Sequence, residues 1–478
     1  MTSGNTLKDY LVAISLAFSY AVVSESYASG FFQAAWLDSG LLSSTDASII
    51  NSTGFAVELL SIPLLQLIII KHKLKPCTTL AICGTLMIIG FLGSSYSHSF
   101  LTLLLFRGTI TSLGVGICIV SCYTGLYQSF RDDQLDVFSA IFLSGTGLGL
   151  LIIYVTIALF MEDGGWEVVM RSQLFFVIIL YITAIIISPL VMKPRRSLVT
   201  DSQKSSKSKL DNPEKPLLCK SENNTHAEID HKEAAQILEN MSCEKLLQSG
   251  TSLSHINTCS SKSCSLKSQS KVTVMELLGY FATNLQFILC WTSFGFGGCS
   301  FDALMLHHPV RLASLGIKSG PRSLALNGLM QILARVPVGI IATKGYISPI
   351  RMSQIAKLSL VVSTLLCNFI TGPTYQGCFY FFIGIWGSVI NIADFLLIRE
   401  SVCVHREFGA ALFNLLNGCL NLPIITLLGY LFERYGDYDV PYLVVVALFV
   451  VSFLLSVLYE VVLRRNRKWL KRQHEPLN

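Results

Sequence analysis

The chain has 478 residues, 52% of them hydrophobic and only 14% charged, with a mean hydropathy of +0.56. Such a composition leaves too little polar surface to cover a water-soluble fold, and the net charge of +6 is a sign of membrane topology rather than of nucleic-acid binding. The 14 cysteines are scattered without paired spacing, which implies neither a disulfide framework nor a metal site.

Hydropathy divides the chain into twelve apolar segments, each close to the roughly 20 residues that cross a bilayer as a helix. Six precede a polar stretch: Tyr10 to Phe32, Ile49 to Ile70, Cys77 to Leu92, Phe100 to Cys122, Ala140 to Phe160 and Arg171 to Met192. Six follow it: Thr273 to Cys299, Leu324 to Thr343, Met352 to Ile370, Cys378 to Ile398, Gly409 to Leu431 and Pro441 to Val462. The first has no basic leader and no small-residue cleavage site after it, so it reads as a retained helix, not a signal peptide.

Basic residues orient the spans, because cytoplasmic loops are enriched in Lys and Arg. With both termini in the cytoplasm, most of the 36 basic residues fall inside, among them Lys71, Lys73, Lys75 and the tail from Arg464 to Arg472. Only Arg311, Lys318, Arg322 and Arg434 fall outside. The implied organisation is an N-terminal six-helix bundle (1–192), a cytoplasmic linker (193–271), a C-terminal six-helix bundle (272–463) and a basic cytoplasmic tail (464–478). The linker is rich in Ser and Lys and too poor in apolar residues to fold alone. Within it, Ile229 to Leu247 has the spacing of an amphipathic surface helix.

Several strings carry further information. After the fourth span, Arg131 leads into Ser139-Ala-Ile-Phe-Leu-Ser-Gly-Thr-Gly-Leu-Gly149; Gly164-Gly-Trp-Glu167 precedes the sixth span and Met192-Lys-Pro194 follows it. The second half has Phe294-Gly-Phe296, Ala334-Arg-Val-Pro-Val-Gly-Ile-Ile-Ala342, Gly387-Ser-Val389, Arg406 and Gly429-Tyr-Leu-Phe-Glu-Arg-Tyr-Gly436. In this order and at these span positions, they resemble the monocarboxylate transporter family of the major facilitator superfamily, over nearly all the chain outside the linker. The resemblance implies an all-α membrane fold of twelve transmembrane helices in two six-helix bundles that rock about a midplane site. It also implies a solute carrier, with no cofactor, in the plasma membrane. Some members of the family travel with a single-span immunoglobulin-like chaperone, which would then be a partner beside the solute and the bilayer.

Arg335 is the most informative single residue. An arginine near the middle of a span costs several kcal/mol unless it faces a water-filled cavity or a counter-charge, and its planar fork suits a carboxylate. The resemblance assigns the same role, since the family's eighth-span Arg binds the substrate carboxylate. A structural ion pair is the alternative. The chain departs from the proton-coupled members at two places. Gln331 stands one helical turn before Arg335 where they have an Asp, and Ser24 and Glu25 stand in the first span where they have a Lys. Gln cannot titrate and Glu has the wrong sign for that Lys, so the usual coupling pair is missing.

Other intramembrane charges are Glu25, Glu58, Arg107 and Asp394. Each needs a partner or water. Arg107 with Glu25 or Glu58, and Arg335 with Asp394, are the pairings the span positions suggest, either as ion pairs or as a replacement coupling device. His307 and His308, with Asp302 before them, read as an exposed pair in an outer loop just beyond the seventh span, with a pH-sensing gate as the alternative. The loop Ile70-Lys-His-Lys-Leu-Lys-Pro76 keeps the basic charge of the facilitators' Gly-Asp-Arg lock and lacks its acid.

These readings converge on a carrier of a small carboxylate-bearing solute, with Arg335 and Gln331 at the substrate and Asp394 and Glu25 as further substrate-binding candidates. They favour uniport or exchange over proton symport. A transporter-like carboxylate sensor without turnover, and a carrier of an amino acid or cationic solute, stay open. No nucleophile and base pairing appears in the polar segments, so an enzyme is not expected.

Overall fold

The computed structural model describes residues 7–72, 74–130, 135–191, 283–317, 320–401 and 406–474. The linker 193–271, with its amphipathic stretch Ile229 to Leu247, and the basic turn at Arg131 lie outside the described residues. The chain divides into two units, one of residues 1–192 with 281–459 and one of residues 193–280 with 460–478. In the second, the described residues are helical and carry the ion pair between Arg464 and Glu460, one turn apart.

Among the described residues, twelve helices are long and apolar enough to cross a membrane. They are α1 (Leu7–Asp38), α2 (Ser44–His72), α3 (Pro76–Ser95), α4 (Phe100–Ser129), α5 (Val137–Met161) and α6 (Gly164–Ile186). The second half gives α7 (Leu285–Ser314), α8 (Gly320–Thr343), α9 (Pro349–Phe369), α10 (Pro373–Ser401), α11 (Arg406–Tyr435) and α12 (Asp439–His474). Hydrocarbon offers no partner for a backbone N–H or C=O, so a helix that satisfies both internally is the favoured spanning form. Local sequence sets several ends. Pro76 and Pro349 open α3 and α9 with a preset φ. Asn284 caps α7 by accepting from the Phe287 amide at 3.1 Å. Gly165 takes φ 71° between α5 and α6, a left-handed turn that a side chain would strain.

Successive helices reverse direction, so odd-numbered helices start, and even-numbered ones up to α10 end, on the face at which α1 begins. We call this the terminal face and its opposite the distal face. Small residues let the helices approach closely. A Cβ at Gly145 would stand 2.0 Å from the Ala17 carbonyl oxygen, and one at Gly149 2.0 Å from that of Ala21, so the two glycines, four residues apart on α5, seat α1 directly on its backbone. Gly147, on another side of α5, meets Gly328 of α8, whose carbonyl oxygen would stand 2.8 Å from a Cβ at Gly147.

The distal half is closed between the two sets of six helices. Gly30 of α1 lies against Leu306 and Pro309 of α7, and Gly429 of α11 against Ser48 and Ser44 of α2. Hydrogen bonds reinforce the second contact: Ser52 and Thr426 share one at 2.9 Å, and the Thr45 amide donates to Glu433 Oε2 at 3.0 Å.

Two span expectations are corrected. The sixth span begins at Gly164 rather than Arg171, because the turn at Gly165 lets Trp166, Val169 and Met170 bury at once. The seventh runs to Ser314 rather than stopping at Cys299. Consequently His307, His308 and Arg311, expected outside the membrane, are buried inside α7. Neighbouring segments partner them, leaving only His308 Nε2 and Arg311 Nε of these three side chains without a hydrogen bond. The Tyr438 hydroxyl and the Ile425 carbonyl both lie 3.3 Å from His307, and the Tyr442 hydroxyl 2.5 Å from His308 Nδ1. Arg311 donates to Asn368 Oδ1 and to the carbonyls of Cys367 and Asn368, stacks over Tyr442 and sits 3.8 Å from Asp439. Polar residues interrupted the apolar run in sequence, but partners from other helices make their burial affordable.

Candidate functional site

A central cavity of about 140 Å³ lies between the two halves of the chain. Its wall comes from the later halves of α2, α4 and α10 and the early halves of α5 and α11, together with the middles of α1, α7 and α8. It therefore occupies the middle and terminal side of the helix bundle, beneath the closed distal half. Aromatic side chains cover much of it, including Tyr20, Tyr27, Phe55, Tyr123, Phe294 and Phe301.

Arg335 lines this cavity from the middle of α8 and is only 2% exposed. Its partners are neutral. Nη1 donates to Thr146 Oγ1 of α5, Nη2 donates to Gln331 Oε1 at 2.6 Å, and Nε is buried without an acceptor. Gln331, one turn earlier and also on the wall, is aligned by its own donation to Asn327 Oδ1 at 2.9 Å. Tyr20, Tyr27 and Tyr123 line the same cavity. No carboxylate pairs with Arg335 among the described residues, so its charge is positioned but not neutralised.

The suggested Arg335 to Asp394 pair does not form. Asp394 lies on the cavity wall in α10, but it accepts from Ser353 Oγ at 2.7 Å and sits 3.8 Å from Lys357 Nζ, both on α9. Lys357, buried at 1% exposure, also donates to Ser293 Oγ of α7 at 2.8 Å. A buried lysine needs such a counter-charge, and the two residues face each other across the α9 and α10 packing.

Glu25 is likewise placed away from the central wall. Its carboxylate meets Arg107 Nη1 at 2.6 Å, in a small separate pocket with Ser29 and Asn51. Arg107 also donates to Ser29 Oγ at 2.6 Å and to the Glu25 carbonyl at 3.1 Å, and lies over the Phe32 ring. It sits in a π-helical stretch of α4, Leu104–Thr111, whose extra residue per turn aims the side chain at α1. Glu58 lines the central cavity and accepts from Ser26 Oγ.

Two groups on the wall were not singled out in sequence. Asp302, read there as leading into an outer loop, is in the middle of α7 and faces the cavity. Its Oδ2 accepts from Asn417 Nδ2 at 3.0 Å and Asn421 Nδ2 at 2.9 Å, both on α11. Drawing the seventh span through to Ser314 would have marked Asp302 as an intramembrane acid, and hence as a functional candidate. Thr146 was visible only as one small residue in the fifth-span string.

A water-accessible cavity between two sets of six helices, closed on one face and holding unneutralised charge, is the arrangement of a secondary carrier. The Major Facilitator Superfamily model matches residues 10–421, and the chain belongs to that superfamily. It is an integral, multi-pass membrane protein and a secondary transporter of a small solute. Comparison with curated proteins finds no match.

Proposed function

We propose that this transporter carries a small carboxylate-bearing solute by alternating access, as the resemblance to the monocarboxylate transporters implies, with Arg335 as the carboxylate clamp. The observation that carries the reading is the buried Arg335 guanidinium, held on the cavity wall by Thr146 and Gln331 with no carboxylate partner among the described residues. At 4 Å and an effective dielectric near 20, a solute carboxylate would gain about 4 kcal/mol from that charge. The same contact would neutralise the arginine when the cavity closes around the solute, so the empty carrier closes less readily than the loaded one. The hydrophobic and aromatic wall suits the rest of a small organic acid.

Uniport or exchange fits the site better than proton symport, because the residue one turn from Arg335 is the neutral Gln331. Engagement of Asp394 by Lys357 and of Glu25 by Arg107 weakens the alternative in which those two acids hold a cationic solute. The two bundles, 1–192 and 272–463, would rock with the terminal face in the cytoplasm, where the basic loops concentrate.

The test is uptake of a labelled panel of monocarboxylates and amino acids into oocytes, at external pH 6 and 7.5, with Arg335→Gln as control. Saturable uptake, lost in the variant and insensitive to pH, is expected. Intact uptake in Arg335→Gln at matched surface expression would refute the clamp.

A further inference from the structure

We propose that Asp302, with Asn417 and Asn421, forms a second subsite that holds the ammonium group of a zwitterionic solute whose carboxylate is held by Arg335. The inference rests on the Arg335 reading and narrows it from organic acids in general to amino acids.

Asp302 is 5% exposed and lies on the cavity wall. The two amide donors from Asn417 and Asn421 both go to Oδ2. Such bonds stabilise the ionised carboxylate but leave its charge in place. Among the described residues no Lys, Arg or His pairs with it. Tyr27, Glu58 and Arg335 line the same cavity. The two charged groups therefore face one cavity, Asp302 from the middle of α7 and Arg335 from the middle of α8.

A second, independent observation points to a donor ligand. The Oδ1 atoms of Asn417 and Asn421 are both buried and have no hydrogen-bond partner. Buried carbonyl oxygens are normally satisfied, and here two of them stand on the amides that hold Asp302. A primary ammonium has three N–H donors and no acceptor, which suits the Asp302 carboxylate and the unpartnered Oδ1 of Asn417, both on residues of the cavity wall. Arg335 has the opposite deficit, a positive charge and a buried Nε donor without an acceptor. A solute with a carboxylate alone would satisfy Arg335 and leave Asp302 charged and unpaired in the closing cavity. A solute with both groups satisfies both. A site built to hydrogen-bond a group discriminates strongly against analogues that lack it.

The full-length chain in proteoliposomes decides the matter. Labelled alanine and phenylalanine are compared with propionate and 3-phenylpropionate, which lack the amine, and with ethylamine and phenethylamine, which lack the carboxylate. The amino acids are expected to enter at least tenfold faster than either set of analogues. Asp302→Asn should remove the discrimination, lowering amino-acid uptake and raising acid uptake until the two are alike. If Asp302→Asn does not yield monodisperse protein, Asn417→Ala keeps the carboxylate and should raise the KM for amino acids several-fold without moving that for the acids. Acids carried as well as amino acids, with both lowered alike by Asp302→Asn or Asn417→Ala, would overturn the proposal, as would monodisperse protein that moves none of the six. Acid uptake that requires external sodium, and loses that requirement in Asp302→Asn, would identify a co-ion site and overturn it too. Uptake that falls in Asp302→Asn but is unchanged in Arg335→Gln would instead locate the failure in the anion clamp.

Discussion

Gly30→Ala tests whether the distal closure belongs to one state of a moving carrier. A Cβ at residue 30 would lie 2.2 Å from the Leu306 carbonyl oxygen and 2.9 Å from Pro309 Cγ. The first obstacle is backbone, which cannot swing aside as a side-chain tip could, so α1 and α7 must separate locally by about an ångström. Overpacking of this kind typically costs about 1–3 kcal/mol. Alanine also improves helix propensity over glycine by about 1 kcal/mol. That gain applies in both conformations and cancels, whereas the clash applies only where the distal half is closed. A net 2 kcal/mol would move the equilibrium between states by about 30-fold toward distal opening. The assay is labelling of Cys introduced at Ser52, which is hydrogen-bonded to Thr426 across the closed half, by a maleimide applied from the distal face. Labelling should accelerate in the Gly30→Ala background while solute turnover falls. Unchanged labelling and unchanged transport in well-folded protein would refute the reasoning, because the closure would then not be part of the cycle.

Three further outcomes follow from the packing and the buried charges. Glu25→Gln leaves Arg107 without its 2.6 Å counter-charge and should cost about 3–5 kcal/mol. Its melting temperature in detergent should drop, and the Glu25→Gln, Arg107→Gln double variant should be less destabilised than the sum of the singles. Gly145→Ala drives a Cβ into the Ala17 carbonyl and should reduce monodisperse protein on size-exclusion chromatography, whereas Gly372→Ala, with open space around it, should not. Lys357→Met removes the partner of Asp394 and should lower thermal stability, with partial recovery on adding Asp394→Asn.

Much of the scaffold was legible because hydrocarbon is a stringent solvent. It requires long apolar helices, and a run such as Pro373 to Ile398 is recognisable with no knowledge of its neighbours. Arg335 stood out for the same reason, as a costly residue in the middle of such a run. The seventh helix shows where this reasoning ends. Asp302, His307, His308 and Arg311 interrupt its apolar pattern, and whether they are inside or outside depends on partners that come from α9, α11, α12 and the segment before α12. The charge pairs show the same limit. Asp394 and Arg335 were each visible as intramembrane charges, but Lys357, one helix before Asp394, takes the carboxylate, and Thr146, on a distant helix, takes the guanidinium.

The sequence by itself determined the membrane class, twelve crossings, most of their positions and the short roster of residues too polar to be there without a reason. These follow from transfer energies that each residue carries with it. The tertiary structure alone decided which of those residues share a cavity, which neutralise one another and which are left charged, because pairing energy depends on distances between helices far apart in the chain. Glu25 and Asp302 are both buried carboxylates; only the arrangement of α1, α4, α7 and α11 gives one an arginine and the other two amides.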